Sequence, residues 1–369
     1  MNIILRNFFR LIRSGVFDTE ETIEPMSAWK WHRLYHTAMQ HDVAPLLYDG
    51  ILRCRQQFFM QLPEALEKHC LKTVSDIEHQ NQITLDHLME LLDSYNLQQL
   101  RPIVLKGQSI AALYPAPLHR PTPSVDIFLP FATQGHKADQ WAEANATPIA
   151  TAHRYQYAFK WKDTRVTHHH RAAHLTNTLH NHALHVICDK EIRENPPTRI
   201  LLAGKQVETL SPTLSMLLLI VRMTQQLLNS GLRVRQLCDL GVMLRTTGDK
   251  TDFVKLQEWT DRLHLGRMAQ LCGNLLEELL GFTPDEIPFM RDATDGRIKQ
   301  VVSDMELGHT NVSGDWYFQQ AGDIFVHTAN SSAMLHQVKQ SARYLRYYPS
   351  ESISNFFSSF AHSLSHIED

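Results

Sequence analysis

Ile103-Val104-Leu105-Lys106-Gly107-Gln108-Ser109, then Leu113-Tyr114-Pro115, then Arg120-Pro121-Thr122-Pro123-Ser124-Val125-Asp126-Ile127-Phe128-Leu129, is the stretch that decides how this chain folds. Its two short apolar runs, bounded by Pro and Gly, have the composition of buried strands. Lys106-Gly107 turns the first run into a short helical segment, and the second run carries one carboxylate, Asp126. Residues i and i+2 of a strand share a face, so Ser124 and Asp126 point the same way. A carboxylate on an apolar strand is costly to bury without a metal ion or a hydrogen-bond partner. That marks Asp126 as a site residue.

Outward from this stretch, Thr147 to Thr151, Tyr155 to Trp161 and Arg165 to His169 alternate as strands, and Ala132 to Asn145 reads as a helix. Residues 96–205 thus predict an α+β unit, a small mixed sheet with helices. Residues 1–95 predict helices. Trp31, Leu34, Tyr35 and Ala38 fall at helical spacing, Pro63 sits near a helix start, and Leu85, Leu88, Leu91 and Leu92 form one stripe. The helical period returns over 206–369. Ser211-Pro212 is an N-cap with proline at the first position, and Val234 to Arg245, Asp252 to Leu263 and Gly266 to Leu280 follow. The aromatic tail from Val338 to His366 is expected to pack against the core.

A formal charge of −3 over 369 residues and a pI near 6.7 give no sign of a polyanion-binding surface, so nucleic acid is not the expected partner. No run of 18 apolar residues appears, which argues against a membrane span, and the arginine-broken N-terminus does not read as a secretory signal. Five scattered cysteines without a CxxC pair read as reduced core residues of a cytoplasmic protein.

With these segments in view, the chain resembles the uncharacterised nucleotidyltransferase family found widely in bacteria, in particular a subgroup associated with Bacteroidetes. Lys106-Gly107, Leu113-Tyr114-Pro115 and Arg120 match its Lys-Gly turn, Leu-Tyr-Pro and pre-strand arginine. Gly231 to Asp239 looks like its Gly-x-x-x-Arg-Gln-Leu-Cys-Asp segment, and Arg343 to Glu351 resembles its C-terminal signature. The resemblance extends over about 100–355. It implies Asp-x-Asp on the second strand and a third acid on a later strand, within a Val-Glu-x-His type segment. In this chain those positions fall at Ser124, Asp126 and Thr167, with the family histidine at His169.

The implied chemistry is transfer of a nucleoside monophosphate from an NTP to an unknown acceptor, with Mg²⁺ neutralising the phosphates. The resemblance puts Asp126 as principal metal ligand and Lys106, Gly107, Gln108, Ser109 and Arg120 around the triphosphate. One carboxylate with two hydroxyls offers a third of the expected negative charge. Loss of a single charge-stabilising group commonly costs ~10²–10³ in rate, so impaired transfer is expected. Gly107 either lets a phosphate approach the backbone or serves the turn alone. Arg120 either closes the pocket or pairs with an acid. Arg235 and Asp239, at i and i+4 on a helix, are either a cleft pair or a structural ion pair.

Two further readings stand beside transfer. One is a pseudoenzyme that keeps the pocket to bind a nucleotide or a partner. The other is a zinc-dependent activity at His168, His169, His170, His174, His180, His182 and His185, seven of the chain's 22 histidines. No HExxH or comparable spacing supports Zn²⁺ there.

Overall fold

The computed structural model describes residues 1–58, 60–150, 155–290, 301–302, 345 and 348–354. Helices α1 (Ile3–Phe17), α2 (Ala28–Gln40) and α3 (Ala44–Cys54) open the chain, and α2 buries Trp31, Leu34, Tyr35 and Ala38, the residues its period selects. The stripe that follows Pro63 becomes one unbroken helix, α4 (Glu64–Leu97), of 34 residues. Its first half joins an apolar cluster through Leu66, Cys70 and Val74. Its second half joins a separate cluster through Leu88, Leu91, Leu92 and Tyr95.

The sheet begins with β1 (Ile103–Val104), then the short helix α5 (Gln108–Ala111), β2 (Ser124–Phe128), α6 (Ala132–Asn145), β3 (Thr147–Ile149), β4 (Gln156–Trp161) and β5 (Thr164–His169). Its strand order is β1-β2-β5-β4-β3. The β2–β5 pair is parallel and the other neighbours are antiparallel, so the sheet is mixed and the fold is α+β.

The two faces of the sheet enter different clusters. Val125, Ile127, Phe159 and Val166 pack with α4 and α6. Ile103 and Phe128 face the cluster that also contains the N-terminal helices and the later helical elements. A strand pair with opposite faces buried in this way needs near-continuous apolar sequence, which is why Val125 to Leu129 reads as a run rather than an alternation.

Two elements depart from the sequence reading. Helix α7 (Thr178–Glu194) takes in His180, His182 and His185 of the histidine-rich stretch, and β6 (Thr198–Leu202) and β7 (Lys205–Thr209) form a hairpin closed by Ala203-Gly204, both with positive φ. Thr209 Oγ1 donates to Val104 O at 3.0 Å, attaching the hairpin to the edge of the sheet.

Then come α8 (Pro212–Asn229), capped by Ser211 Oγ accepting from Leu214 N, and α9 (Val234–Thr247), α10 (Phe253–Arg262) and α11 (Gly266–Leu280), the last ended by Gly281 in the left-handed region. Tyr348 is fully buried, donating to Leu263 O at 2.7 Å. The rest of the expected aromatic tail, and Thr151 at the end of the third strand, lie almost wholly outside the described residues. All five cysteines are free and buried. No described helix is long and apolar enough to cross a membrane.

Candidate functional site

Parallel pairing puts Asp126 directly beside Thr167 and Ser124 beside Arg165. Ser124, Asp126, Thr167 and His169 therefore share one sheet face. Asp126 is 8% exposed. An ionised carboxylate only accepts hydrogen bonds, so His169 Nε2 donates to Asp126 Oδ1, at 2.7 Å. The amide of Gln156 lies 3.5 Å from His169 Nδ1. Lys106 Nζ stands 3.3 Å from the same Oδ1. Burial by itself would raise the Asp126 carboxyl, but Lys106, His169 and Arg222 override it and hold it well below the ordinary carboxylate range. The Lys106 ammonium is pushed down by burial and by Arg222 and Arg120, against the pull of Asp126.

Gly107 occupies φ +67°, ψ −108°, a backbone region for glycine alone. Its turn sends Lys106 to Asp126 and starts α5. The Gln108 side chain is buried. Its Nε2 donates to Ser124 O at 3.2 Å while its Oε1 has no partner. Ser109 and Lys106 line a cleft of about 530 Å³ between the sheet and α7, α8 and α9.

Arg120 also borders this cleft, but its guanidinium is committed. Nε and a terminal nitrogen each donate to Asp239 at 2.7 Å, the other terminal nitrogen reaches Gly107 O and Pro121 O at 3.3 Å, and Tyr114 OH donates to Asp239 at 2.7 Å. Both partners of this ion pair are almost completely buried. The Leu-Tyr-Pro and pre-strand arginine on one side, and the Arg-Gln-Leu-Cys-Asp segment of α9 on the other, are thus two halves of one contact. Asp239 takes Arg120 as its partner. Arg235 instead points to Asp42 and Pro121 O, each at 3.5 Å.

The sequence missed two cleft cations, Arg222 on α8 and Arg171 after β5. Arg222 interrupts the apolar run Leu217 to Met223 and carried no motif to mark it.

The fold divides the histidine patch. His168 points to the opposite sheet face, where its Nδ1 donates to Asp139 at 2.8 Å and Tyr95 OH donates to its Nε2. His170 reaches the same Asp139 at 2.9 Å, packed so closely on α6 that a Cβ on Gly135 would meet its ring at 2.7 Å. His180 stacks between Tyr348 and His264. Among the described residues no grouping of three or more His, Cys, Asp or Glu is placed to hold a metal ion.

A mixed sheet carrying a buried aspartate beside a Lys-Gly turn, closed over by helices across a cationic cleft, has the plan of a nucleotidyltransferase-type domain. The comparison with family models makes the assignment: residues 27–281 match the uncharacterised nucleotidyltransferase family, and the chain belongs to it. Among solved structures, an antigenic nucleotidyltransferase-like protein from Paracoccidioides brasiliensis matches at 13% identity and a TM-score of 0.33, over 51% of this chain and 88% of that one. So loose a superposition adds nothing to the assignment, which rests on the family match. No curated protein matches.

Proposed function

We propose that this chain binds a nucleoside triphosphate in the cleft and that the two-metal transfer chemistry of its family is impaired or absent. One observation carries the reading. Asp126, the single carboxylate among the positions Ser124, Asp126 and Thr167, is already neutralised by Lys106 at 3.3 Å and by the Nε2–H of His169 at 2.7 Å. Magnesium seeks hard, preferably anionic oxygens in octahedral array. Here it would meet one shared carboxylate and two hydroxyls inside the field of Lys106, Arg120 and Arg222. That donor set does not fit a metal pair.

What the residues do fit is a polyanion. The Gly107 turn, Lys106 and Ser109 present donors to the cleft, and Arg120 holds that turn through Gly107 O. The buried free thiols suit a reducing, cytoplasmic setting.

Calorimetric titration of the untagged full chain with ATP, GTP, CTP and UTP, in EDTA and in magnesium, tests the reading. We expect binding in EDTA that survives Asp126→Asn. Binding that requires magnesium and vanishes in Asp126→Asn would show that the carboxylate still organises a metal, and transfer would become the better reading. No binding under either condition would sink the nucleotide reading itself.

A further inference from the structure

The cleft holds more positive charge than the chain neutralises. Lys106, Arg120, Arg171, Arg222 and Arg235 line it, with Asp239 the single lining carboxylate among the described residues. Three of these cations have close partners. Arg120 is held by Asp239 at 2.7 Å, Arg171 by Asp189 at 2.9 and 3.0 Å, and Lys106 by Asp126 at 3.3 Å. The other two are different. Arg222 is exposed to the cleft and no described residue accepts a hydrogen bond from its guanidinium. Arg235 has a buried Nε with no acceptor, and the acceptors nearest its NH1 stand at 3.5 Å. A buried donor without an acceptor is rare in a folded chain and asks for an explanation. These two guanidinium groups come from α8 and α9, across the cleft from Lys106 on the β1–α5 turn.

We propose that Arg222 and Arg235, with Lys106, form a metal-free clamp for a polyphosphate chain. This rests on the nucleotide-binding reading above and assigns the charge neutralisation to named side chains. A guanidinium presents its N–H groups in a planar fork that matches two oxygens of a phosphate. Phosphate oxygens in the cleft can accept from N–H groups of both these guanidinium groups, which line it. An ammonium has three donors, so Lys106 can keep Asp126 and still reach the chain. Two sources fit this chemistry, the polyphosphate of a nucleotide and free inorganic polyphosphate.

The test is calorimetry on the full chain in EDTA, with ATP and inorganic tripolyphosphate as probes. We expect wild type to bind both. Arg222→Gln should weaken both by about 10-fold or more, the scale of a lost charge-assisted hydrogen bond. Arg235→Lys, which keeps the charge and loses the fork, should weaken both by roughly 3- to 10-fold. Arg171→Gln should cost less than about 3-fold, since Asp189 already occupies that group. Tripolyphosphate binding without ATP binding would retain the clamp and make inorganic polyphosphate its ligand. The clamp is overturned if Arg222→Gln, with a wild-type melting temperature, binds both probes as tightly as wild type. It is overturned equally by a loss in Arg171→Gln as large as that in Arg222→Gln, which would mean a diffuse field, or by ATP binding without tripolyphosphate binding. Failure of the underlying reading looks different: wild type then binds neither probe.

Discussion

His168 and His169 are neighbours in sequence, lie on opposite faces of β5 and each hold an aspartate, yet their surroundings differ. On the back face the account closes around the histidine itself, although Tyr157 OH and Trp161 Nε1 nearby have no partner among the described residues. His168 is fully buried, both ring nitrogens are used by Asp139 and Tyr95, and Asp139 is shared with His170. On the cleft face it does not close. Asp126 is held by His169 and Lys106, and beyond them stand Arg222, open to the cleft, and Arg235, whose Nε has no described acceptor. A histidine–aspartate pair is therefore not a site by itself. Surplus charge around it, open to a cavity, is what separates the cleft from the core.

The largest effect we expect comes from breaking the contact that joins the cleft floor to α9. Arg120→Ala strands a buried Asp239 and should cost ~3–5 kcal/mol of unfolding free energy by denaturant titration. A loss under ~1 kcal/mol would mean water already screens that pair. The two histidines of β5 come next. His168→Ala should cost ~2–4 kcal/mol, from a lost buried ring and a buried Tyr95 hydroxyl left without its partner, while Asp139 keeps His170. His169→Ala, at the edge of an open cleft, should cost about half as much or less. Equal losses would erase the distinction between the two faces. Gly107→Ala should cost ~1–3 kcal/mol through backbone strain alone, because a Cβ there would meet Ser124 O only at an ordinary 3.6 Å.

The smallest effect is a pH slope with two signs. Burial pushes the His168 imidazole below its usual range, against Asp139. The unfolded chain then takes up that proton first as pH falls below about 6.5. The stability His168 contributes is present above that value and lost in acid, and His168→Gln should flatten the loss between pH 7 and 5.5. His119 runs the other way. Its two ring nitrogens face Asp49 and Glu78 at 2.8 to 2.9 Å, and hydrogen bonding to Asp49, against burial, raises its pKa. Its contribution is full below about 6.5 and is lost as pH rises through the raised folded value. His119→Gln should remove that alkaline decline. The same slopes in both variants would contradict this assignment.

Much of the framework was legible because local signals agreed. Helices Ala132–Asn145 and Gly266–Leu280 have the bounds their sequences predict, and Ser211-Pro212 starts α8 as its cap requires. Helix α7 was hidden because its histidines give it a weak apolar stripe. The β6–β7 hairpin was hidden because Ala203-Gly204 closes it in place of an Asn-Gly or Asp-Gly pair. In the site, Asp126 and Lys106-Gly107 could be named from the strand-turn pattern. The partner of Asp239 could not, because Arg120 lies 119 residues away and an i,i+4 arginine offers a nearer choice. Arg222 sits in a run whose period marks it only as the outward side of a helix.

Helix α4 has a consequence for how the molecule comes apart. At about 1.5 Å per residue its 34 residues span about 50 Å, with one end seated in the cluster of the N-terminal helices and the other in the back of the sheet. Midway, the side chain of Asn81 bonds Leu118 O, Arg120 O and Thr122 N, tying the segment that leads into β2 to the same rod. Neither cluster can melt without fraying a helix that the other still holds. Heat or denaturant should therefore take both down in one cooperative transition, with the slowest-exchanging amides of α4 near its middle.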